Sequence, residues 1–232
     1  MFSTPFSLII LGYNDAASLV TLLPATNAIL QEHFSDYEII VVNDGSLDNT
    51  IELISDFKKN NSKIHLVSHY QNLGVGATFK SGLQASKNEI VAYMDGDGQY
   101  DPADLIKLFE ALKDDVAIAS GYRIKRADNF KRKMVSSIYN FLLNSIFKIK
   151  LNDINSGLKI YRRSVFEKIG VVKSNDGFFD AEILLKAKKI NCKILEIPIS
   201  HYKRRFGLAG GASVKSIQSI FKSLFVFYKN NL

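Results

Sequence analysis

The chain has 232 residues, of which 47% are hydrophobic and 23% are charged, with 14 Gly and 4 Pro. This composition is typical of one packed globular domain and excludes a collagen-like, disordered or disulfide-rich protein. The single Cys192 cannot form an internal disulfide, and the N-terminal apolar stretch is too short for a secretory signal, so we expect a reducing cytoplasmic location. The net charge of +7 favours anionic partners, and no apolar run approaches the roughly 18 residues that cross a bilayer.

Short apolar runs alternate with longer amphipathic stretches through the first half of the chain. The runs predict strands at residues 6–11, 38–42, 64–67, 90–94 and 116–119. The helical spacing between them predicts helices at residues 16–31, 48–59, 75–85 and 102–112. This alternation predicts an α/β fold with a mostly parallel central sheet flanked by helices.

The regular alternation stops after residue 122. A basic, aromatic helical stretch is followed by a turn at Ser156 and Gly157, another helix and a strand-like segment at residues 193–200. The sequence contains no internal repeat and no linker long enough to separate independent domains. We therefore predict a single domain over residues 1–232, with a specialised second half.

Polar clusters follow three of the predicted strands. Residues 13–15 follow the first strand, residues 43–46 the second and residues 95–99 the fourth. Ligands of open α/β sheets bind outside the carboxyl ends of the strands. The clusters therefore predict a binding site at that edge, and the structural alternative is turn chemistry repeated three times.

Asp95 and Asp97 form the sharpest motif, because two carboxylates one residue apart at a strand end can direct oxygens to a single hard cation such as Mg²⁺ or Mn²⁺. Gly96 and Gly98 permit the tight backbone path that this requires, and Gln99 offers an amide oxygen. The alternative is a simple Asp-Gly turn. The buried strand before the motif favours the cation site, since burying two carboxylates without a counter-charge is costly.

Asp44 precedes a helix entry at which Ser46 or Asp48 is expected as the N-cap. Its own carboxylate is therefore available to a nucleobase or ribose. Residues 72–77 resemble a Gly-rich approach to a helix whose N-terminal amides face a phosphate or a base. They lack the Lys-Ser/Thr of a P-loop and the full dinucleotide fingerprint, which disfavours an ATPase or an NAD enzyme.

In order and spacing, these motifs resemble those of the family 2 inverting glycosyltransferases of the GT-A fold, and among them the polyprenyl-phosphate sugar synthases of the dolichol-phosphate mannose synthase type. The resemblance rests on residues 13–15, 43–50, 72–77 with Gly82, 95–102 and 155–159. It implies a nucleotide-sugar-binding half at residues 1–122 and an acceptor-side half at residues 123–232. One departure is Leu11-Gly12 before Tyr13, where such proteins commonly carry Pro.

The resemblance also implies roles for single residues. Asp15 and Asp44 would hold the nucleoside, and Asp95 would contact the ribose or the metal. Asp97 and Gln99 would bind the metal and the diphosphate, with Mg²⁺ or Mn²⁺ as the cofactor, and Asp97 is in addition a catalytic candidate. The further residues implied for nucleotide-sugar binding are Tyr13, Asn72, Gly76, Arg123 and Lys159.

In the second half, the resemblance places an acidic group from residues 179–182 in the active-site wall. Asp180 and Glu182 are therefore catalytic candidates, although Asp180 could instead cap the following helix. Residues 201–207 and the later Ser213 look like the arginine-containing mobile loop that closes on phosphates in these synthases. We take Arg205 as its catalytic arginine, with Arg204 as the alternative.

Two stretches, residues 123–150 and 215–229, combine basic residues with large apolar residues at helical spacing. Such basic amphipathic segments favour an anionic lipid surface. Core packing is the alternative for both stretches, and a second subunit is a further alternative for the latter. We expect a peripheral location at the inner face of the cell membrane, without a transmembrane helix or a nucleic-acid partner, and leave a homo-oligomer open.

The sequence thus predicts a metal-dependent inverting glycosyltransferase, a hexosyltransferase that moves sugar from a nucleotide sugar to a polyprenyl phosphate. A phosphate acceptor is already ionised and needs no general base. If the acceptor is instead a saccharide hydroxyl in cell-surface glycan synthesis, Asp180 or Glu182 must take its proton. Alternatives of other classes are a non-catalytic nucleotide-sugar-binding protein and a nucleotidyltransferase.

Overall fold

A seven-stranded sheet forms the centre of the protein in a computed structural model that describes residues 1–113, 115–128, 130–206 and 213–231. The strands are β1 (Phe6–Gly12), β2 (Tyr37–Asn43), β3 (Ile64–Ser68), β4 (Ile90–Asp95), β5 (Val116–Arg123), β6 (Leu158–Arg162) and β7 (Lys193–Ile199). Their order across the sheet is β3-β2-β1-β4-β6-β5-β7. Strand β6 pairs antiparallel with β4 and β5, and all other pairs are parallel. The predicted α/β fold is therefore confirmed.

Helices flank both faces of the sheet. They are α1 (Ala16–His33), α2 (Thr50–Asn60), α3 (Val75–Ala85), α4 (Asp104–Glu110), α5 (Phe130–Phe147), α6 (Ser164–Ile169), α7 (Phe179–Lys189) and α8 (Val214–Asn231). Within the described residues, none of these helices combines the length and hydropathy that crossing a bilayer requires.

The two faces of the sheet carry separate hydrophobic cores, because successive side chains of a strand point in opposite directions. On β1, Leu8 and Ile10 pack with α1, α2 and α4, whereas Ile9 and Leu11 pack with α3, α5, α7 and α8. Strand β1 is buried along its whole length. Its continuous apolar run, rather than an alternating one, is what a strand covered on both faces requires.

The second half departs from the expected element order. The sequence predicts one helix between the turn at Ser156 and residue 193, but the chain there forms strand β6 and then helices α6 and α7. Strand β6 is only five residues long and contains Lys159 and Arg162. Its composition therefore carries little strand signal. Its stability comes from pairing on both sides, which depends on distant segments of the chain.

Helix α3 lies close against β1 at Gly82. A β-carbon at this position would collide with Cγ2 of Ile9 and would lie 3.1 Å from Cγ2 of Val42. Both methyl groups belong to buried β-branched side chains in the sheet, which have few rotamers available for relief. Glycine at position 82 is thus required by the helix-to-sheet distance.

We predict that Gly82→Ala destabilises the protein by about 1–3 kcal/mol, since overpacking a filled core forces backbone shifts. Urea unfolding followed by circular dichroism measures the change. Gln84→Ala, on the exposed side of the same helix, is the control and should change stability by less than about 0.5 kcal/mol. Equal stability of the two variants would show that α3 can move away from the sheet freely.

Candidate active site

Three neighbouring parallel strands end at the same edge of the sheet. Residue Leu11 of β1 lies opposite Asp95 of β4, and Gly12 lies opposite Asn43 of β2. The polar clusters that follow these strands are joined directly. Asn14 N donates to Ser46 Oγ over 2.9 Å, and Ser18 Oγ donates to the carbonyl of Asp97 over 3.1 Å. The prediction that these clusters meet at one edge is confirmed.

Asp95 is the last residue of β4 and is only partly accessible to solvent. Its amide donates to the carbonyl of Gly157 over 3.0 Å, and a β-carbon on Gly157 would overlap the Asp95 carboxylate. Burial, followed by the negative charges of Asp97 and Asp180, raises the pKa of Asp95 to about 8. The site thus holds a carboxylate whose ionised form lacks a sufficient counter-charge.

Asp97 lies nearer to the surface and contacts a cation from another part of the chain. Its side chain is 15% exposed, and Oδ2 lies 3.8 Å from Nη1 of Arg204. Nη2 of the same guanidinium donates to Oδ1 of Asp15 over 2.5 Å. Burial raises the pKa of Asp15 to about 6, an effect that Arg204 opposes. The structure therefore brings Arg204 to the acidic cluster, whereas Arg205, the arginine preferred from the sequence, is exposed.

Gln99 anchors residues 201–206 over this cluster. Its side-chain amide donates to the carbonyl of Tyr202 over 2.9 Å, and Tyr202 N donates back to the carbonyl of Gln99 over 2.8 Å. At the start of the segment, Ala127 N donates to Nδ1 of His201, and burial lowers the pKa of His201 to about 4. His201 is thus a neutral acceptor at pH 7. Gly207, the last residue of the predicted loop at 201–207, lies outside the described residues.

Asp44 accepts three hydrogen bonds at the end of β2. The amides of Leu73 and Gly74 each donate to it over 2.9 Å, and Nδ1 of His69 lies 2.7 Å from Oδ1. Nε2 of His69 lies 2.8 Å from Oγ of Ser81 on α3. The sequence motifs assign no role to His69. No local spacing could have linked it to Asp44, because β2, β3 and α3 bring the three side chains together.

The Gly-rich segment packs against the chain that leads into α7. Gly76 N donates to the carbonyl of Asn175 over 2.8 Å, and a β-carbon at Gly76 would lie 2.5 Å from the carbonyl oxygen of Ser174. Asn72 is exposed and lines a cleft of about 700 Å³ between this segment, α7 and α8. In this structure, Gly76 therefore permits a close backbone approach.

Helix α2 has Asn49 at its N-cap position, without a hydrogen bond from that side chain, so neither Ser46 nor Asp48 holds the expected position. Thr50 N donates to Oδ1 of Asp48 over 3.1 Å, whereas Oγ of Ser46 accepts from Asn14. Tyr13, predicted to bind the nucleotide sugar, is 41% exposed at the rim, and its amide donates to Oδ2 of Asp15 over 3.1 Å. An exposed aromatic ring beside a buried carboxylate offers both a stacking surface and a hydrogen-bond acceptor.

Two cations predicted to bind the nucleotide sugar are buried in ion pairs. Arg123 makes a two-pronged contact with Asp153, with Nε–Oδ2 and Nη2–Oδ1 distances of 2.6 and 2.7 Å. Lys159 is 0% exposed, and its Nζ lies 3.0 Å from Oδ1 of Asp180. Neither prediction anticipated this burial. Both cations lie beneath the acidic cluster and lower the pKa of Asp95 through their charge.

Glu182 is occupied by a local hydrogen-bond network. It accepts from the amides of Lys173 and Ser174, from the Ser174 hydroxyl and from Nζ of Lys186, all within 2.9 Å. Although burial raises its pKa, these hydrogen bonds outweigh burial and lower it below the ordinary value. In this structure Glu182 holds residues 173–174, and its role as a proton acceptor stays a prediction.

The carboxylates of Asp95 and Asp97 suit a cation that takes most of its ligands from water and from a bound substrate. Among the described residues, no group of three or more His, Cys, Asp or Glu side chains is placed to hold a metal ion. Asp95 and Asp97 supply oxygen donors on two sides of Gly96, and desolvation penalises their charge. Such a pair fits Mg²⁺ or Mn²⁺ when water and ligand phosphates complete the coordination.

Relatives of known activity share the chain's sequence pattern. It is 26% identical over 229 residues to dodecaprenyl-phosphate galacturonate synthase of Rhizobium johnstonii, covering 97% of this chain and 67% of that protein. It is 28% identical over 202 residues to undecaprenyl-phosphate 4-deoxy-4-formamido-L-arabinose transferase of Aeromonas hydrophila, covering 87% of this chain and 61% of that protein. The chain thus spans about two thirds of the length of these relatives.

Solved structures share the fold. Glucosyl-3-phosphoglycerate synthase of Mycobacterium tuberculosis, in complex with UDP, superposes with a TM-score of 0.75 at 16% identity, covering 97% of this chain and 80% of that one. A mannosyltransferase of Pyrobaculum calidifontis, in complex with GDP-Man and Mn²⁺, superposes with a TM-score of 0.69 at 17% identity, covering 97% and 65%.

The fold is that of the GT-A glycosyltransferases. The sequence model described as "Glycosyl transferase family 2" matches residues 7–170, which include β1 to β6 and all three polar clusters at the strand ends. Since this match spans more than half of the chain, the protein belongs to glycosyl transferase family 2.

Proposed function

We propose that the protein is an inverting glycosyltransferase that transfers a sugar from a nucleotide-sugar donor to a polyprenyl phosphate. The observation that carries the proposal is the pair Asp95 and Asp97 at the carboxyl edge of the sheet. Burial disfavours the ionised form of both carboxylates, and both residues are partly accessible to solvent. Family membership supports the reaction class. The acceptor class is supported by two relatives whose names specify dodecaprenyl or undecaprenyl phosphate.

On the donor side, Asp95 and Asp97 would hold a divalent cation, either Mg²⁺ or Mn²⁺. When bound, such a cation stabilises the negative charge that develops on the departing nucleoside diphosphate. Mn²⁺ is present in the P. calidifontis neighbour. Gln99 stays a candidate for binding the diphosphate, because it lies beside the proposed cation site. Its main-chain amide donates to Oδ1 of Asp97 over 3.1 Å.

For the nucleoside, the proposal assigns Tyr13 to the face of the base and Asp15 and Asp44 to its polar groups. Asp44 is fixed by the amides of residues 73 and 74, so the nucleoside site includes the segment in which Asn72 lies. Arg204 is well placed to exchange its carboxylate partners for the donor diphosphate. A guanidinium suits this exchange because its planar donors match carboxylate and phosphate oxygens equally well.

On the acceptor side, an ionised lipid phosphate supports the reaction without a general base. A reaction without a general base fits the state of Glu182, because this carboxylate is already held by four hydrogen bonds. Transfer to a saccharide hydroxyl is the second candidate and would assign proton removal to Asp180. We propose that residues 1–232 act as one domain, with the donor side at 1–122 and the acceptor side at 123–232.

A membrane contact is proposed for the paired helices α5 and α8. Their exposed apolar side chains include Phe130, Ile138, Phe141 and Phe225, which are 79%, 50%, 69% and 67% exposed. Between the helices lies an apolar groove of about 340 Å³ lined by Leu142, Ile146, Phe221, Leu224, Phe225 and Tyr228. Exposed lysines at positions 133, 148, 150, 222 and 229 accompany it. This combination favours the anionic inner surface of a cell membrane.

Radiolabelled nucleotide sugars should yield a labelled polyprenyl phosphate and a free nucleoside diphosphate when incubated with the protein, Mn²⁺ and undecaprenyl phosphate. Asp97→Asn should lower turnover by about 100-fold or more, because the cation loses a charged ligand. EDTA should have the same effect on the wild type. Thin-layer chromatography of the lipid phase and analysis of the released nucleotide measure both products.

Asp56→Asn makes the same charge change on the exposed side of α2 and should retain wild-type turnover. Labelled saccharide instead of labelled lipid would favour the second candidate. Release of pyrophosphate would identify a nucleotidyltransferase. Donor binding without any product would identify a non-catalytic binding protein, and undiminished turnover by Asp97→Asn would refute the cation site.

Cation binding should strengthen as pH rises from 6 to 8. The pKa of Asp95 is raised to about 8, so below pH 8 a cation must displace its proton, and the apparent affinity falls by up to about tenfold per pH unit. Mn²⁺ titration by electron paramagnetic resonance measures this. In Asp15→Asn the dependence above pH 7 should persist, because the raised pKa of Asp15 is only about 6. A flat profile would contradict the assignment of Asp95.

Replacing both Phe141 and Phe225 by Ser should weaken binding to vesicles of phosphatidylglycerol and phosphatidylcholine by roughly tenfold or more. Each ring loses apolar area that membrane insertion would bury. Vesicle sedimentation at two salt concentrations measures the affinity and its electrostatic part. Tyr70→Ser removes a ring outside α5 and α8 that is even more exposed, at 88%, and serves as the control. Equal binding by the double variant and the control would exclude the helix pair as the contact surface.

A further inference from the structure

A polar cluster lies beneath the acidic edge, on the face of the sheet that α3 and α7 cover. Tyr93 and Asp95 are two residues apart on β4, so their side chains lie on the same face. The antiparallel register places Lys159 of β6 directly opposite Tyr93. Asp180, in the first turn of α7, closes the cluster from above. The strand pairing thus sets a buried ammonium beside a buried phenol and carboxylate.

Tyr93 and Lys159 hold the same oxygen of Asp180. The Tyr93 hydroxyl donates to Oδ1 over 2.6 Å, and Lys159 Nζ donates to it over 3.0 Å. Lys159 also donates to the carbonyl of Ser156 and to the Tyr93 hydroxyl, which lies 3.2 Å away. The three N–H groups of the ammonium therefore each have an acceptor. Within the described part of the chain, the structure gives Oδ2 of Asp180 no hydrogen-bond donor.

Stability alone is a weak reason for such an arrangement. Lys159 is 0% exposed and Asp180 is 5% exposed. Removing two opposite charges from water costs several kcal/mol for each ion, and well-packed apolar side chains of similar volume are often as stable as a buried ion pair. The cluster fixes the orientation of the Asp180 carboxylate, because the donors from Tyr93 and Lys159 on Oδ1 prevent it from rotating.

Asp180 also communicates with the proposed cation site. Its negative charge raises the pKa of Asp95, so the two carboxylates are close enough to interact. Ser156, whose carbonyl receives Lys159, is followed by Gly157, whose carbonyl receives the amide of Asp95. A displacement of Lys159 would therefore be transmitted to both carboxylates through residues 156 and 157.

We propose that Lys159, together with Tyr93, is a positioning residue that fixes Oδ1 of Asp180 and leaves Oδ2 to accept a hydrogen bond from a hydroxyl of the transferred sugar. This inference rests on the proposed function. It replaces direct contact between Lys159 and the nucleotide sugar by an action through Asp180. The ammonium is thus an orienting group, and the carboxylate is the group that touches the ligand.

The test compares Lys159→Met, Tyr93→Phe and Asp180→Asn in the donor-turnover assay, with thermal unfolding and nucleotide binding measured on each variant. Lys159→Met and Asp180→Asn should each lower kcat by about 100-fold while the KM for the donor changes by less than about threefold, because orientation is lost without loss of the nucleotide contacts. Tyr93→Phe should lower kcat by about tenfold. The double variant Lys159→Met/Asp180→Asn should have a kcat less than about threefold below that of Asp180→Asn alone, since the two residues act as a unit.

Tyr161→Phe is the matched control, because Tyr161 lies two residues along β6 and its buried hydroxyl has no partner among the described residues. It should retain wild-type kcat. A crystal structure of Lys159→Met should show the Asp180 carboxylate turned away from Tyr93, whatever the turnover. An unchanged carboxylate, unchanged kcat, or parallel losses of folding and nucleotide binding would overturn the inference. A wild-type protein that releases no nucleoside diphosphate would instead refute the proposed function and leave the crystallographic comparison to decide the positioning.

Discussion

Burial of several carboxylates at one edge of the sheet is the constraint on which the candidate site depends. Two parallel strands, β1 and β4, deliver Asp15, Asp95 and Asp97 to one edge, where burial raises the pKa of Asp15 to about 6 and that of Asp95 to about 8. In the protein alone, Arg204 supplies counter-charge to Asp15 and Asp97. In the proposed complex, Asp95 and Asp97 would hold a divalent cation, which would supply the counter-charge there. Arg204 would then be free to turn from its carboxylate partners to the donor diphosphate.

The antiparallel strand β6 positions the buried groups beneath this edge of the sheet. It enters between β4 and β5 directly after Gly157, whose missing side chain leaves the space that the Asp95 carboxylate occupies. The register that follows from this entry sets Lys159 against Tyr93. A shift by one residue would turn Lys159 to the opposite face of the sheet, among the side chains that pack on α1 and α4. The close approach at Gly157 and the burial of Lys159 therefore depend on the same strand register.

The sequence predicts the part of this structure that rests on local pattern. Each run of apolar residues in the first half became a strand, and the polar clusters met because the carboxyl ends of parallel strands share an edge. What could not be predicted depends on contacts between distant segments. Lys159 looks like an exposed cation until two neighbouring strands bury it. His69 meets Asp44 only when β2 and β3 pair, and Arg204 is distinguished from Arg205 only by the path of residues 201–206.

The acceptor side follows from which carboxylate oxygens remain available. All donors around Glu182 bind its two oxygens and lower its pKa, which makes it a poor proton acceptor. Burial raises the pKa of Asp180, and the contacts of its Oδ1 with Tyr93 and Lys159 oppose this rise without cancelling it. In the proposed reaction, Asp180 therefore serves as a fixed hydrogen-bond acceptor that orients a hydroxyl through Oδ2. A lipid phosphate is already ionised near neutral pH and needs no proton acceptor. In the proposed reaction it therefore suits a site in which Glu182 and Asp180 are both held by hydrogen bonds.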